Sequence, residues 1–217
     1  MLWELARMIR SLRARRDVLI GVAGGLSVLA ALALPGPWGL AFLLLPAAAG
    51  LLLLPAGRRL FVAYGLAILV AAWGLATFRA ENGVVWLAWL VAVVVVTDVA
   101  GYFAGRALGG PRFWPRISPR KTWSGTIAGW VGAGLTGFGF EWLMPGGHEL
   151  IWVSAILSFA AQMGDIAESA IKRRMGVKDS SHLIPGHGGL MDRFDGLLGA
   201  TLAAMIVVEL LLPVRLF

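Results

Sequence analysis

Long apolar runs recur along this chain and leave few choices of fold. They cover roughly residues 18–34, 38–54, 60–77, 84–105, 122–144, 149–171 and 192–212. About 20 apolar residues in a helix cross the hydrocarbon core of a bilayer. In that solvent only a helix or a closed barrel satisfies its own backbone. The runs are continuously apolar and long, which selects helices over alternating strands. Of 217 residues, 59% are hydrophobic and 14% charged, a composition outside the range of soluble domains. The sequence therefore predicts an all-α fold, a polytopic transmembrane helix bundle of about seven spans. Its joints are Pro35-Gly36-Pro37, Pro55 to Arg59, Arg79 to Gly83, 106–121, Pro145 to His148 and 172–191. Proline and glycine mark most of them, because neither supports a helix interior.

Residues 1–17 read as an N-terminal amphipathic interfacial helix. Leu2, Leu5, Ile9 and Leu12 share one side and five arginines lie mainly elsewhere. A cleaved signal peptide, cut after Ala31-Leu32-Ala33, is the weaker reading, because further spans follow directly. The expected organisation is this helix, then helices over 18–83, then a chemistry-bearing region over 84–217 with two long basic loops, 106–121 and 172–191. With the N-terminus inside, the inner segments hold 17 of the 19 Lys and Arg residues; Arg79 and Arg215 alone lie outside. The positive-inside rule then puts the N-terminus and both long loops in the cytoplasm, and the C-terminus outside. The net charge of +7 reads as topology and contact with anionic headgroups, not nucleic acid. The absence of cysteine excludes disulfides, cysteine-ligated zinc and thiol catalysis.

The chemistry concentrates between Asp165 and Asp195, GDIAESAIKRRMGVKDSSHLIPGHGGLMDRFD with its preceding glycine. Asp165 and Glu168 stand at helical i, i+3 spacing, as do Asp192 and Asp195. Between the pairs lies a loop with Lys172, Arg173, Arg174, Lys178 and a Pro185-Gly186-His187-Gly188-Gly189 turn. Paired carboxylates suit a hard divalent cation, and basic side chains with free backbone N–H groups suit phosphate oxygens. Ionisable groups in lipid cost ~2.5–3.5 kcal/mol each on insertion scales, so each needs a reason. Asp98 adds a fifth carboxylate at the same expected depth. Any one of these acids can simply pair with a neighbouring arginine or lysine; convergence of all five beside cationic loops favours a metal-bound polyphosphate.

Lys121, Thr122 and Ser124 at the start of the fifth span resemble an anion site at a helix N-terminus. A plain topology anchor needs only Arg120 and Lys121. His187 can donate to phosphate or shuttle a proton, and a turn residue without chemistry is the equal alternative. With His182 it lacks a third nitrogen or sulfur ligand for zinc. Gly132, Gly134 and Gly137 match G-x-G-x-x-G, but no strand precedes them, so helix packing is the better reading. Gly101/Gly105 and Gly125/Gly129 fit the same small-residue contacts. Glu141 and Glu209 fall toward the outer ends of their spans, away from the acidic cluster.

From Ser169 to Asp195 the chain closely resembles the signature of the phosphatidate cytidylyltransferases, the CDP-diacylglycerol synthases. The residues that carry the match are Lys172, Arg173, Lys178, Asp179, Pro185, Gly186, His187, Gly188, Gly189, Asp192, Arg193 and Asp195. The Gly164-Asp165-x2-Glu168-Ser169 block, the Asp98 segment and Ser118 to Trp123 are also similar to that family, over about residues 90–200. The resemblance implies transfer of CMP from CTP to phosphatidate, giving CDP-diacylglycerol and pyrophosphate, at the cytoplasmic face of the inner (plasma) membrane. It also implies Mg²⁺, with potassium as an assisting cation, and a homodimer.

Metal-binding aspartates are expected at Asp165 and Asp192, with Glu168, Asp195 and Asp98 as further ligands. Lys172, Lys178 and His187 are expected to join Asp165 and Asp192 in catalysis. Arg173, Gly188, Gly189, Arg193, Lys121 and Thr122 are expected to hold the nucleotide. Ser124 departs from the pattern, since the family commonly has Glu there. The rival readings are a CTP-dependent polyprenol or phytol kinase, an ion-coupled transporter and a non-catalytic scaffold.

Overall fold

A computed structural model describes residues 1–9, 14–34, 37–54, 56–143, 149–186 and 188–211. The described chain is all-α apart from one short hairpin. Its order is α1 (Leu2–Met8), α2 (Ala14–Ala33), α3 (Pro37–Ala41), α4 (Leu44–Leu53), α5 (Arg58–Asn82), α6 (Val84–Leu108), β1 (Arg112–Trp114), β2 (Ser118–Thr122), α7 (Trp123–Glu141), α8 (Leu150–Met175) and α9 (Met191–Leu211). Among the described residues three helices are long and apolar enough to cross a membrane: α5, α6 and α8. The chain folds as two compact units, one of Met1–Thr77 with Ile171–Phe194 and one of Phe78–Ala170 with Asp195–Phe217.

In the first unit α1 is much shorter than the expected interfacial helix. Its apolar side is buried: Leu5 is fully covered, and Leu2 and Ile9 nearly so. Glycines receive it. A Cβ at Gly24 would collide with Leu2, and one at Gly65 would lie 3.2 Å from the same side chain. The apolar run over 38–54 is not one helix but two, α3 and α4. Pro46 is the cause: it lacks an N–H and its ring opposes the carbonyl four residues earlier, at Phe42. The break is carried by tight i to i+3 bonds, Phe42 N–H to Gly39 O at 3.1 Å and Leu45 N–H to Phe42 O at 3.1 Å.

The second unit is held by small-residue contacts and a few buried hydrogen bonds. On α7, a Cβ at Gly125 would lie 2.5 Å from the Gly101 carbonyl of α6, and one at Gly129 would lie 3.2 Å from Thr97. Gly132, Gly134 and Gly137 belong to the same helix and face Val96, Ile151 and Leu150. Their G-x-G-x-x-G pattern is therefore a packing surface. Trp89 Nε1 donates to Ser154 Oγ at 2.9 Å, Thr97 Oγ1 to Ser158 Oγ at 2.8 Å, and Trp130 Nε1 to Gln162 Oε1 at 3.1 Å.

The loop over 106–121 is more ordered than its composition suggests, since β1 pairs antiparallel with β2. Phe113 meets Trp123 edge-on at 4.7 Å, and Trp123 N–H reaches the Pro111 carbonyl at 3.0 Å. The hairpin delivers Lys121 and Thr122 to the start of α7.

Candidate functional site

Asp165 and Glu168 are one helical turn apart on α8, so they share a face. Asp195 reaches them from the first turns of α9. One carboxylate oxygen from each of the three lies within 4.8 Å of the others. Glycine makes this approach possible: a Cβ on Gly164 would be 3.1 Å from Gly199 Cα, and one on Gly199 would strike the Ala160 carbonyl. With neither Cβ present, the α8 and α9 backbones close to contact. Glu168 has no exposed surface. Three carboxylates this close repel one another strongly, and a hard divalent cation offsets that repulsion with oxygen ligands of this type. The donor set fits such an ion.

Lys121 adds a positive charge at the edge of this cluster, its Nζ 2.5 Å from Asp165 Oδ2. Ser169 Oγ also donates to Asp165, at 3.2 Å. Lys121 and Asp165 line a cavity of about 540 Å³ together with Asp98, Arg106, Arg120 and Thr122. Asp98 therefore faces the cavity. Thr122 is the N-cap of α7, accepting from Gly125 N–H at 3.2 Å, and it presents its remaining surface to the cavity. Ser124 Oγ donates to the Gly109 carbonyl at 2.5 Å and lies 2.9 Å from Thr122 Oγ1, which ties the hairpin to the helix.

In the first unit a second polar centre forms around the glycine-rich turn. Asp192, in the first turn of α9, accepts from Lys172 Nζ at 2.8 Å, Ser180 N–H at 2.9 Å, Ser180 Oγ at 2.8 Å and Gly189 N–H at 2.7 Å. These donors suit an ionised carboxylate. The turn itself is closed by Ile184 N–H to Gly188 O at 2.9 Å.

Beside it stands Glu4, fully buried, which sequence reasoning missed. It accepts from Ser181 Oγ at 2.6 Å, Leu190 N–H at 2.8 Å and Met191 N–H at 2.9 Å. The signal available was slight: an acid next to Leu5, at the margin of the apolar stripe of residues 1–9.

Gly188 and Gly189 were expected to let phosphate approach the backbone. At both Cβ positions other groups of the chain stand close by. A Cβ on Gly188, whose φ is +80°, would lie 2.7 Å from Asp192 Oδ2. One on Gly189 would meet Glu4, Ser180 and Ser181. Among the other expected residues, Arg173 and Lys178 are exposed, Arg193 follows Asp192 in α9, and His187 lies outside the described residues. Asp165 thus belongs to the second unit and Asp192 to the first.

Fold and site together define a largely helical protein of membrane type, with an acidic cluster beside a cavity lined by lysine and arginine as well as aspartate. The sequence model of the Cytidylyltransferase family matches residues 1–211, and the chain belongs to that family. It is similar to the phosphatidate cytidylyltransferase of Brucella suis biovar 1, 50% identical over 120 residues, which are 54% of this chain and 44% of that protein. The protein of the same name from Mycobacterium tuberculosis H37Rv is 40% identical over 135 residues, 60% of this chain and 40% of its own. That of Helicobacter pylori is 40% identical over 120 residues, covering 54% and 45%. The chain thus spans less than half the length of the curated relatives it matches.

Proposed function

We propose that this chain transfers CMP from CTP to phosphatidate, giving CDP-diacylglycerol and pyrophosphate. The observation that carries the reading is the set of Asp165, Glu168 and Asp195 oxygens within 4.8 Å, beside a cavity with Lys121, Arg106 and Arg120 on its wall, in a chain of this family. A phosphate oxygen of the lipid attacks the α-phosphorus of CTP. A new P–O–P bond forms, the bond to the β-phosphate oxygen breaks, and pyrophosphate leaves. The nucleophile is already an anion, so positioning and charge neutralisation matter more than proton transfer.

Asp165, Glu168 and Asp195 would hold Mg²⁺, which when bound supplies charge neutralisation for the triphosphate. Lys121, Arg120 and Arg106 take phosphate oxygens in the cavity, while Thr122 keeps the α7 N-terminus capped and aimed there. Asp98 balances the cationic wall. In the first unit Asp192 and Lys172 keep the Gly188-Gly189 turn in one shape, and exposed Arg173 and Lys178 meet anionic groups from solution or lipid. The membrane arrangement consistent with this is about seven spans, with the N-terminus and the loops 106–121 and 172–191 cytoplasmic. The acceptor's acyl chains then remain in the bilayer. The relatives' names and the apolar helices support this reading; a homodimer is part of it.

Purified protein given CTP labelled at the α- or γ-phosphate, phosphatidate and Mg²⁺ should yield α-labelled CDP-diacylglycerol and γ-labelled pyrophosphate. Release of CDP with the γ-label on the lipid would replace this reaction by a kinase. Turnover of neither label, with Mg²⁺ and phosphatidate saturating, would remove the enzyme reading.

A further inference from the structure

The first unit contains a hollow that the proposed reaction leaves unused. It has a volume of about 1180 Å³ and lies between the end of α1, the turn into α5 and the last turn of α8. Arg58, Arg59 and Arg174 line it, from two chain segments far apart in sequence, and among the described residues no acidic one does. All three arginines are exposed. Among the described residues none of them forms an ion pair. Arg58 is partly anchored, its Nε donating to the Leu54 carbonyl at 2.5 Å, which lowers the entropy lost when its remaining N–H groups bind. The rest of the lining includes Met8, Ile9, Leu60 and Met175.

Three like charges facing one hollow repel unless an anion joins them. Guanidinium groups match phosphate oxygens in geometry as well as charge. Thioether and aliphatic side chains alongside suit a glycerol backbone and the first methylenes of an acyl chain. Basic pockets among membrane helices bind anionic headgroups for these reasons. We infer that this hollow binds the phosphate headgroup of an anionic membrane glycerophospholipid. None of its lining residues lines the cavity of the second unit or belongs to the carboxylate cluster there, and the inference does not depend on the reaction proposed above. Bound lipid would brace α1, the start of α5 and the end of α8. Lys172 on α8 stands two residues before Arg174, so bracing there also steadies its bond to Asp192.

The test uses the full chain in an uncharged detergent, followed by thermal unfolding during titration with dioleoylphosphatidylglycerol, dioleoylphosphatidylcholine or inorganic phosphate. Phosphatidylglycerol should raise the unfolding temperature saturably, and phosphatidylcholine should not. Inorganic phosphate should act only at concentrations at least ~10-fold higher, about 1.4 kcal/mol at a factor of ten. R58Q/R174Q should raise the half-saturating phosphatidylglycerol concentration at least ~10-fold, the same ~1.4 kcal/mol, and R58K/R174K should fall between it and the wild type. Cytidylyl transfer measured in phosphatidylcholine micelles at saturating substrate should be unchanged in R58K/R174K.

An equal response to phosphatidylcholine would overturn the inference, as would an unchanged phosphatidylglycerol response in R58Q/R174Q. Full replacement of the lipid by equimolar inorganic phosphate would reduce the site to a phosphate site and overturn its lipid character. If R58Q/R174Q does not fold, the comparison of R58K/R174K with wild type decides, and identical responses overturn the inference. Absence of any cytidylyl transfer in the wild type would leave this lipid response intact, so the two readings fail separately.

Discussion

Glu4 and Ser181 stand 177 positions apart in the sequence, and their side chains meet at 2.6 Å. Ser180, the preceding residue, sends its hydroxyl to Asp192 at 2.8 Å. Two adjacent serines thus tie the glycine-rich segment to two different carboxylates. Glu4 also holds the N–H groups of Leu190 and Met191, and Asp192 that of Gly189. The N-terminal helix is therefore a structural part of the segment that carries the family resemblance.

Replacing Glu4 by Ala leaves the Leu190 and Met191 N–H groups and the Ser181 hydroxyl without their acceptor in a buried place. Each unsatisfied buried group costs ~1–3 kcal/mol. The three together cost ~3–9 kcal/mol, so E4A should lower the unfolding temperature by at least ~6 °C, at ~2–4 °C per kcal/mol for a chain of this size. E4Q keeps one acceptor oxygen and should lose about half as much. Thermal unfolding in detergent decides, and an E4A curve superimposable on wild type would remove Glu4 from this role.

Glu168 is the buried member of the acidic cluster, and Asp165 stands half-buried one turn before it. D165N and E168Q each delete a formal charge from the donor set, so divalent affinity should fall by roughly 10–100-fold. Mn²⁺ binding, followed by its paramagnetic signal, is the direct measurement. Turnover should fall at least ~100-fold with folding retained, since the lost carboxylate weakens the hold on the cation that would neutralise the triphosphate. Unchanged Mn²⁺ binding in both variants would dissolve the metal assignment.

Lys121 sits on Asp165 at 2.5 Å, in the position of a competing cation. K121A should therefore bind Mn²⁺ more tightly without nucleotide, by up to ~10-fold, corresponding to about 1.4 kcal/mol. The same variant should show a higher KM for CTP if the cavity holds the triphosphate as proposed, because it loses one of the positive charges on its wall. A weaker Mn²⁺ affinity in K121A would mean that the lysine supports the metal instead of competing with it.

Gly199 is where α8 and α9 touch. A methyl group there meets the Ala160 carbonyl and lies 3.0 Å from Gly164, so the helices must separate. Overpacking of this kind costs ~1–3 kcal/mol. G199A should lose stability and also weaken Mn²⁺ binding, because Asp195 is drawn back from Asp165 and Glu168. Loss of stability with unaltered Mn²⁺ affinity would separate the packing role from the metal role.

Local periodicity made much of the molecule legible beforehand. The apolar runs over 60–77 and 84–105 lie within α5 and α6, and that over 149–171 matches α8 from Leu150 on, because continuous apolar sequence of that length favours one structure in any apolar surroundings. The i, i+3 spacing of Asp165 and Glu168 placed them on one helix face for the same reason. The break at Phe42 was also written locally, in Pro46, although the composition of 38–54 disguised it. The hairpin was harder to read: both strands are short, β2 is polar, and Pro119 argues against pairing.

Which carboxylate meets which partner was decided only in the folded chain. Asp192 and Asp195 repeat the spacing of Asp165 and Glu168, yet Asp195 joins the α8 acids while Asp192 is taken by Lys172, Ser180 and Gly189. One turn of α9 sets them at different levels along its axis, so each meets its own neighbour, and the missing Cβ atoms of Gly164 and Gly199 set how closely α8 comes to Asp195. Glu4 shows the limit most plainly. Its sequence surroundings describe a residue on a short amphipathic helix, and only the return of the chain some 180 residues later supplies its hydrogen-bond donors. Helix period acts over a few residues and can be read along the chain; contact between distant segments depends on how the whole backbone packs, which no local pattern encodes.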